Sequence, residues 1–315
     1  MTDDVSLDGR AAIVTGAGQG IGRAEALGLA AAGASVIIND LDGNGADQTA
    51  AQIRAAGGTA ITSTGDIGEW STAQDLLDAA LREFGRLDIL VNNAGVLRDR
   101  MIFSMSPEEW DLVLRTHLRG HFLTSRVATA YWREASKQAG GEIYGRIINT
   151  SSEAFLLGAV GQPNYAAAKA GIAALTVATA RGCARYGVRA NAICPRARTA
   201  MIGGLLGPAP EDGPDPLDAE YVAPLVTYLA SPAAANINGE VFVVHGGVAA
   251  VLAPPTVAAT FLAKEHGSPD GMWTLDAIAD ALAGFATGPS GAGFLCEDTM
   301  ALATETIGFG AGEGR

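Results

Sequence analysis

Tyr165 and Lys169 stand four residues apart in the run Gly161-Gln-Pro-Asn-Tyr165-Ala-Ala-Ala-Lys169. On a helix that spacing puts both side chains on one face, so the ammonium lies near the phenol and favours its ionised form. A tyrosine with an ordinary pKa of about 10 is a poor base at neutral pH without such help. The same spacing also serves plain surface packing. Thirteen residues before Tyr165, Ser152 follows the aliphatic run 146–150. A hydroxyl at the carboxyl end of a strand points into the cleft where α/β sheets bind ligands. Ser151 competes for that role, and either serine also suits a simple turn.

A second group lies near the amino terminus. Thr15-Gly16-Ala-Gly-Gln19-Gly20-Ile21-Gly22 follows one short aliphatic run and opens an Ala-rich amphipathic one. Glycines there let a backbone approach a pyrophosphate, whose charge sits at a positive helix amino terminus. Asp40 ends the next aliphatic run 18 residues after Gly22, near the spacing of about 20 for a carboxylate that binds a ribose 2′-hydroxyl. The alternative for Asp40 is a turn former ahead of Asp42-Gly43. A carboxylate repels a 2′-phosphate, and Gln19 brings no compensating cation, so the pattern predicts NAD rather than NADP.

These residues need a scaffold that brings strand ends together. Strand-like runs at 11–15, 35–39, 60–64, 87–92, 146–150, 189–194 and 241–244 alternate with helix-like stretches at 21–32, 47–56, 72–84, 107–130, 165–186 and 219–229. That alternation predicts an α/β fold, a doubly wound parallel sheet with helices on both faces. From Val248 onward the strand pattern stops, and a C-terminal extension, 248–315, holds one clear helical segment near 274–283, with Thr274 as its N-cap. This divides the chain into a domain at 1–247 and an extension packed on it or on a dimer partner. The Gly/Pro-rich connector 203–216 reads as a substrate lid or a plain surface loop.

Composition narrows the classes. The 315 residues are 48% hydrophobic and 17% charged, against about 25% charged for soluble domains, which excludes disorder and coiled coil. A net charge of −13 opposes a broad hold on nucleic acid or anionic lipid. The stretch 241–263 has no Asp, Glu, Lys or Arg and is long enough to cross a bilayer. Gly246-Gly247 and Pro254-Pro255 cut it, so it reads as buried structure rather than a membrane span. Cys183, Cys194 and Cys296 form no CxxC pair, and His117, His121 and His245 form no ligand grouping, so no metal site is expected. The acidic start lacks the marks of an export signal, and a cytoplasmic setting is expected.

Taken jointly, Thr15 to Gly22, Asp66-Ile67, Asn92-Asn93-Ala94-Gly95 and Ser152 with Tyr165 and Lys169 resemble the short-chain dehydrogenase/reductase family over residues 8–247. The resemblance implies a seven-stranded Rossmann-type sheet binding NAD at Gly16, Gln19, Gly20, Ile21, Gly22 and Asp40. It implies Tyr165 as general acid/base, Ser152 holding the substrate oxygen, and Lys169 on the nicotinamide ribose. Asp66, Ile67 and Asn93 match positions framing the adenine and its ribose, and Thr199 the residue reaching the carboxamide. Two positions depart from the pattern. His117 stands where the family carries a catalytic asparagine whose main-chain carbonyl anchors a relay water, a task His117 could still perform. Arg196 stands where a glycine is expected after Pro195.

Within the family, the segments 93–100, 117–122, 161–165 and 220–226 are similar to the dehydrogenase module of multifunctional enzyme type 2. That implies NAD-dependent oxidation of a (3R)-hydroxyacyl-CoA, with a steroid side-chain thioester as one candidate. Arg98, Arg100, Arg196 and Arg198 either meet the CoA phosphates or are ordinary solvated arginines. The alternatives are a dehydrogenase of free hydroxysteroids or other secondary alcohols, and a catalytically silent NAD-binding regulatory subunit. The family resemblance further implies a homodimer or homotetramer.

Overall fold

The computed structural model describes residues 3–199, 209–210, 215–255, 257 and 259–283. Most of the 203–216 connector, and Cys296, lie outside the described residues. Eight strands form one sheet: β1 (Ala11–Thr15), β2 (Ser35–Asp40), β3 (Ala60–Thr64), β4 (Ile89–Asn92), β5 (Gly145–Thr150), β6 (Val188–Pro195), β7 (Val241–His245) and β8 (Val248–Val251). Their order is β3-β2-β1-β4-β5-β6-β7-β8. All neighbours run parallel except the last pair.

The order reverses between β1 and β4, and such a switch point opens a crevice at the carboxyl ends of the strands. Strand residues alternate between two cores because side chains point to opposite faces in turn. Val14, Val36, Val91 and Ile148 pack on one side, and Ile13, Ile37, Leu90 and Ile147 on the other. Both faces are therefore covered, as a parallel sheet requires. The covering helices are α1 (Gly20–Ala31), α2 (Gly43–Ala55), α3 (Trp70–Phe84), α4 (Pro107–Leu114), α5 (Gly120–Ala139), α6 (Ala154–Leu157), α7 (Pro163–Cys183) and α8 (Ala223–Ala230), with α9 (Leu275–Ala283) in the extension.

The structure corrects three expectations. The sheet has an eighth strand, because Gly246-Gly247 does not cut the chain but turns it: Gly246 adopts φ +48° and His245 pairs with Val248 across a two-residue hairpin, the geometry such turns favour. As an antiparallel edge strand, β8 is covered on one face at most, and Val251, Val257 and Leu262 are exposed, so the charge-free stretch is not buried throughout. Among the described residues no helix is long and apolar enough to cross a membrane.

The third correction concerns the stretch expected as one helix over 107–130. Ser106 and Glu109 form a reciprocal cap on α4 and Pro107 takes the first position, but a π-helical turn, Arg115–Arg119, separates α4 from α5. Such turns insert one residue and redirect side chains, often at functional sites. In the extension, Ala277 N–H donates to Thr274 Oγ1 at 3.2 Å, the expected cap.

Candidate active site

At the crevice, the first βα turn is shaped by contacts that leave no room for side chains. Gly16 has φ +63°, and a Cβ there would lie 2.7 Å from the Ala94 Cα; a Cβ on Gly22 would lie 2.4 Å from the Gly16 carbonyl oxygen. Helix α1 therefore starts tight against β1. Its N-cap, Gln19, makes no side-chain cap bond, so first-turn N–H groups stay available to an anion. Gly16, Gln19, Gly20, Ile21, Asp40, Asp66, Ile67, Asn93, His117, Tyr165, Lys169 and Thr199 all line one cleft. Ser151 lines it as well, whereas Gly22 and Ser152 do not.

Asp40, at the end of β2, accepts Gly18 N–H at 2.9 Å on Oδ2 and Asp42 N–H at 3.0 Å on Oδ1. Each carboxylate oxygen keeps a further acceptor site. Asp66 accepts Gly68 N–H at 2.8 Å and Arg115 Nη2 at 2.7 Å. The Asn93 amide donates to the carbonyls of Thr15 and Gly16 at 3.2 and 3.1 Å, bracing the glycine turn against the end of β4.

Tyr165 and Lys169 both rise from the first turns of α7, and Lys169 Nζ lies 5.3 Å from the Tyr165 ring centroid. Lys169 is fully buried and donates to the Thr150 carbonyl at 2.6 Å. Burial pushes its ammonium down to about 7, opposed by the nearby Cys194 and Glu25. Burial also pushes the Tyr165 phenol up to about 12, against a lowering hydrogen bond from Ser152. The spacing argument expects the phenolate to be favoured; in the protein alone the neutral phenol is favoured, because desolvating the anion outweighs the hydrogen bond from Ser152.

The two serines separate cleanly. Ser151 Oγ donates to the Lys169 carbonyl at 2.8 Å and is buried. Ser152 Oγ accepts Ala154 N–H at 3.2 Å, and its hydroxyl acts to lower the Tyr165 phenol against the effect of burial.

His117 sits in the π-helical turn, buried, with Nε2 3.0 Å from Val96 N and 2.8 Å from Val96 O. Its ring meets Tyr165 edge-on at 5.2 Å. Burial, then Lys169, keeps it neutral, far below the ordinary histidine range. Gly95 makes room for it, since a Cβ there would lie 2.3 Å from His117 Cε1. Next to it, His121 is pushed to about 3 by burial, while its bonds to the backbones of His117 and Asn92 oppose the shift.

Three of the four loop arginines meet carboxylates. Arg196 turns inward to Glu153, with Nη2 2.7 Å from Oε1 and Nε on Oε2. Arg198 pairs with Asp215 at 2.7 Å and Arg100 with Glu109 at 3.3 Å. Loop arginines carry no sign in the sequence of the carboxylates that meet them, which lie as far as 43 residues away.

Asn92 belongs to the run Asn92–Gly95 already marked in the sequence, whereas Asn149, Asn164 and Glu25 carry no such sign. Asn92 bonds Ser125, Thr124 and Asn149, and Asn149 bonds Thr176, a buried polar chain under the cleft. Asn164 Nδ2 donates to the carbonyls of Arg98 and Glu109 at 3.0 and 3.3 Å and its Oδ1 accepts Tyr165 N–H at 2.7 Å, fixing the start of α7. Glu25 on α1 is wholly buried, and neither carboxylate oxygen has a hydrogen-bond partner. Among the described residues no group of three or more His, Cys, Asp or Glu is placed to hold a metal ion.

Comparison with known proteins gives a consistent picture. Residues 10–203 match the family model described as short chain dehydrogenase. A Mycobacterium tuberculosis protein named hydroxyacyl-CoA dehydrogenase ChsB1 is 54% identical over 271 residues, covering 83% of this chain and 85% of that one. The mouse peroxisomal multifunctional enzyme type 2 is 41% identical over 256 residues, 78% of this chain but 33% of that longer protein. A short chain dehydrogenase from Mycobacterium avium superposes with a TM-score of 0.77 at 43% identity, covering 88% of this chain and 95% of that structure.

Proposed function

The chain belongs to the short-chain dehydrogenase family and is an oxidoreductase, and we propose that it oxidises the 3-hydroxyl of a (3R)-hydroxyacyl-CoA to the ketone with NAD as acceptor. The observation that carries the reaction type is the convergence of Tyr165, Lys169 and, through Tyr165, Ser152 on a cleft that also holds Asp40. The thioester class is supported by the name of the 54%-identical relative. A bulky apolar acyl group would find exposed apolar side chains in the two loops near the start of α7. Arg100 N–H donates to the Gly161 carbonyl at 2.8 Å, which sets Met101, Ile102 and Phe103 beside Val160, all exposed, next to the start of α7.

The cleft fits a dinucleotide: a glycine turn without room for a Cβ, open first-turn N–H groups, and a carboxylate with spare acceptor sites at the end of β2. Gly16 to Gly22 would hold the pyrophosphate, Asp40 the adenosine ribose, Asp66 and Ile67 the adenine, and Lys169 and Thr199 the nicotinamide side. The bound cofactor supplies a hydride acceptor and a positive ring near the phenol. Tyr165 Oη, ionised to the phenolate, takes the proton from the substrate hydroxyl. Ser152 Oγ, whose acceptor side is engaged by Ala154 N–H, directs its own O–H toward that oxygen. Lys169, anchored on the Thr150 carbonyl, places its charge beneath Tyr165 and lowers the cost of the phenolate. His117 and Lys169 are buried, while Tyr165 is half-buried and faces the cleft.

The test is NADH formation from a (3R)-hydroxyacyl-CoA set against its (3S) enantiomer. Turnover of the (3R) form is expected, and a preference for (3S) would contradict the reading. The cofactor half is tested separately. Replacing Asp40 by Asn keeps an acceptor and removes the charge facing a 2′-phosphate. The ratio of NADPH to NADH affinity is expected to rise about 10–100-fold in Asp40→Asn, measured by cofactor fluorescence. An unchanged ratio would show that Asp40 does not select the cofactor.

A further inference from the structure

Arg196 and Glu153 join two strand ends at the cleft. Glu153 follows Ser152 after β5, and Arg196 follows Pro195 at the end of β6. The guanidinium grips both carboxylate oxygens, and Glu153 is buried with only 13% of the Arg196 side chain exposed. Both partners are fixed by main-chain bonds. The Glu153 carbonyl accepts Leu156 and Leu157 N–H at 2.9 and 3.1 Å, opening α6, and Arg196 N–H donates to the Val244 carbonyl at 3.0 Å. Below the fork, Ser151 N–H donates to the Ile193 carbonyl at 2.7 Å. Three residues beyond Arg196, Thr199 comes within 3.3 Å of where a Cβ on Gly20 would lie. His245 is buried near Arg196 and stays neutral.

A buried ion pair is a poor source of stability, since desolvating both charges offsets their attraction. A two-pronged arginine–carboxylate contact does fix geometry in distance and plane. Nothing in the resemblance between this chain and its family calls for a charge at either position, and the arginine replaces an expected glycine. We propose that the Glu153–Arg196 fork is a positioning device that holds the turn carrying Ser152 in place beside Tyr165. The inference rests on the proposed roles of Ser152 and Tyr165.

Removing one partner would leave a buried unpaired charge and threatens folding, so the test uses the double variant Glu153→Ala with Arg196→Gly, and the exchanged pair Glu153→Arg with Arg196→Glu. Small misplacements at a reacting centre cost up to about 100-fold. In the double variant kcat with a (3R)-hydroxyacyl-CoA is expected to fall about 10–100-fold, while the NADH dissociation constant moves less than about 3-fold. The exchanged pair is expected to recover part of kcat. Hydrogen exchange gives a readout independent of turnover: the N–H groups of Leu156, Leu157 and Arg196 should lose protection together in the double variant, with the rest of the sheet unchanged.

If the unmodified protein turns over no hydroxyacyl-CoA but these groups still lose protection together, the fork stands and the substrate assignment falls. Unchanged protection at the three groups overturns the fork. So does a kcat within 2-fold of the unmodified protein, or a parallel loss of kcat and NADH binding.

Discussion

Tyr165→Phe is expected to lower kcat by about 10³–10⁴-fold, with NADH affinity nearly unchanged. The ring stays, so its edge contact with His117 at 5.2 Å and the start of α7 are preserved. Only the Oη that accepts the substrate proton is lost. Because burial holds the phenol near 12 in the protein alone, its ionisation must be assisted, and the pH–rate profile reports that assistance. Activity is expected to rise with pH through neutrality and to plateau well below 12, since the positive ring of the bound cofactor favours the phenolate. Steady-state kinetics across pH 6–10 on both proteins checks this. Near-normal turnover by the variant would remove Tyr165 from the chemistry.

The second large effect concerns stability. Glu25 has both oxygens unpartnered in the core, and burial pushes its carboxyl from 4.5 to about 8, with Lys169 opposing. Between those values the folded protein keeps a proton that the unfolded chain releases. Stability is therefore lost as pH rises from 4.5 to 8, and about 5 kcal/mol is missing above that window. Glu25→Gln removes the titration. Whatever constant cost its amide adds, the variant is expected to gain several kcal/mol relative to the unmodified protein between pH 5 and pH 8. Lys169, lowered from 10.5 to about 7, acts with the opposite sign at higher pH: its burial costs stability below 7, and that cost fades as pH approaches 10.5. Denaturant unfolding at pH 5 and pH 8 checks the difference. Parallel stability changes in the two proteins would mean that Glu25 finds a partner or is not buried in solution.

Much of this architecture was readable because its signals are local. The glycine turn, Asp40 after the second strand, and Tyr165 with Lys169 on one helical turn are set by spacing within single elements, and the structure places them at one cleft. Ser152 could not be separated from Ser151 until the Ser151 hydroxyl was seen on the Lys169 carbonyl. Other features depend on partners far along the chain. Glu153 and Arg196 are 43 residues apart, and in sequence the arginine reads as a solvated loop charge. Glu25 lies in an Ala-rich helix where a charged residue normally marks the exposed face, so its burial had no local sign. The π-helical turn that carries His117 leaves the apolar spacing almost intact, which is why 107–130 read as one helix. The eighth strand has no sign of its own in the sequence, because paired glycines read as a break, whereas they form its turn.

The central claim is that this chain oxidises a (3R)-hydroxyacyl thioester with NAD. The most direct measurement is kcat/KM for a (3R)-hydroxyacyl-CoA with NAD, compared in the same assay with NADP and with a free hydroxysteroid. The account predicts that the thioester with NAD exceeds both by at least about 10-fold. Equal or better turnover of the free alcohol, or a preference for NADP, would contradict it.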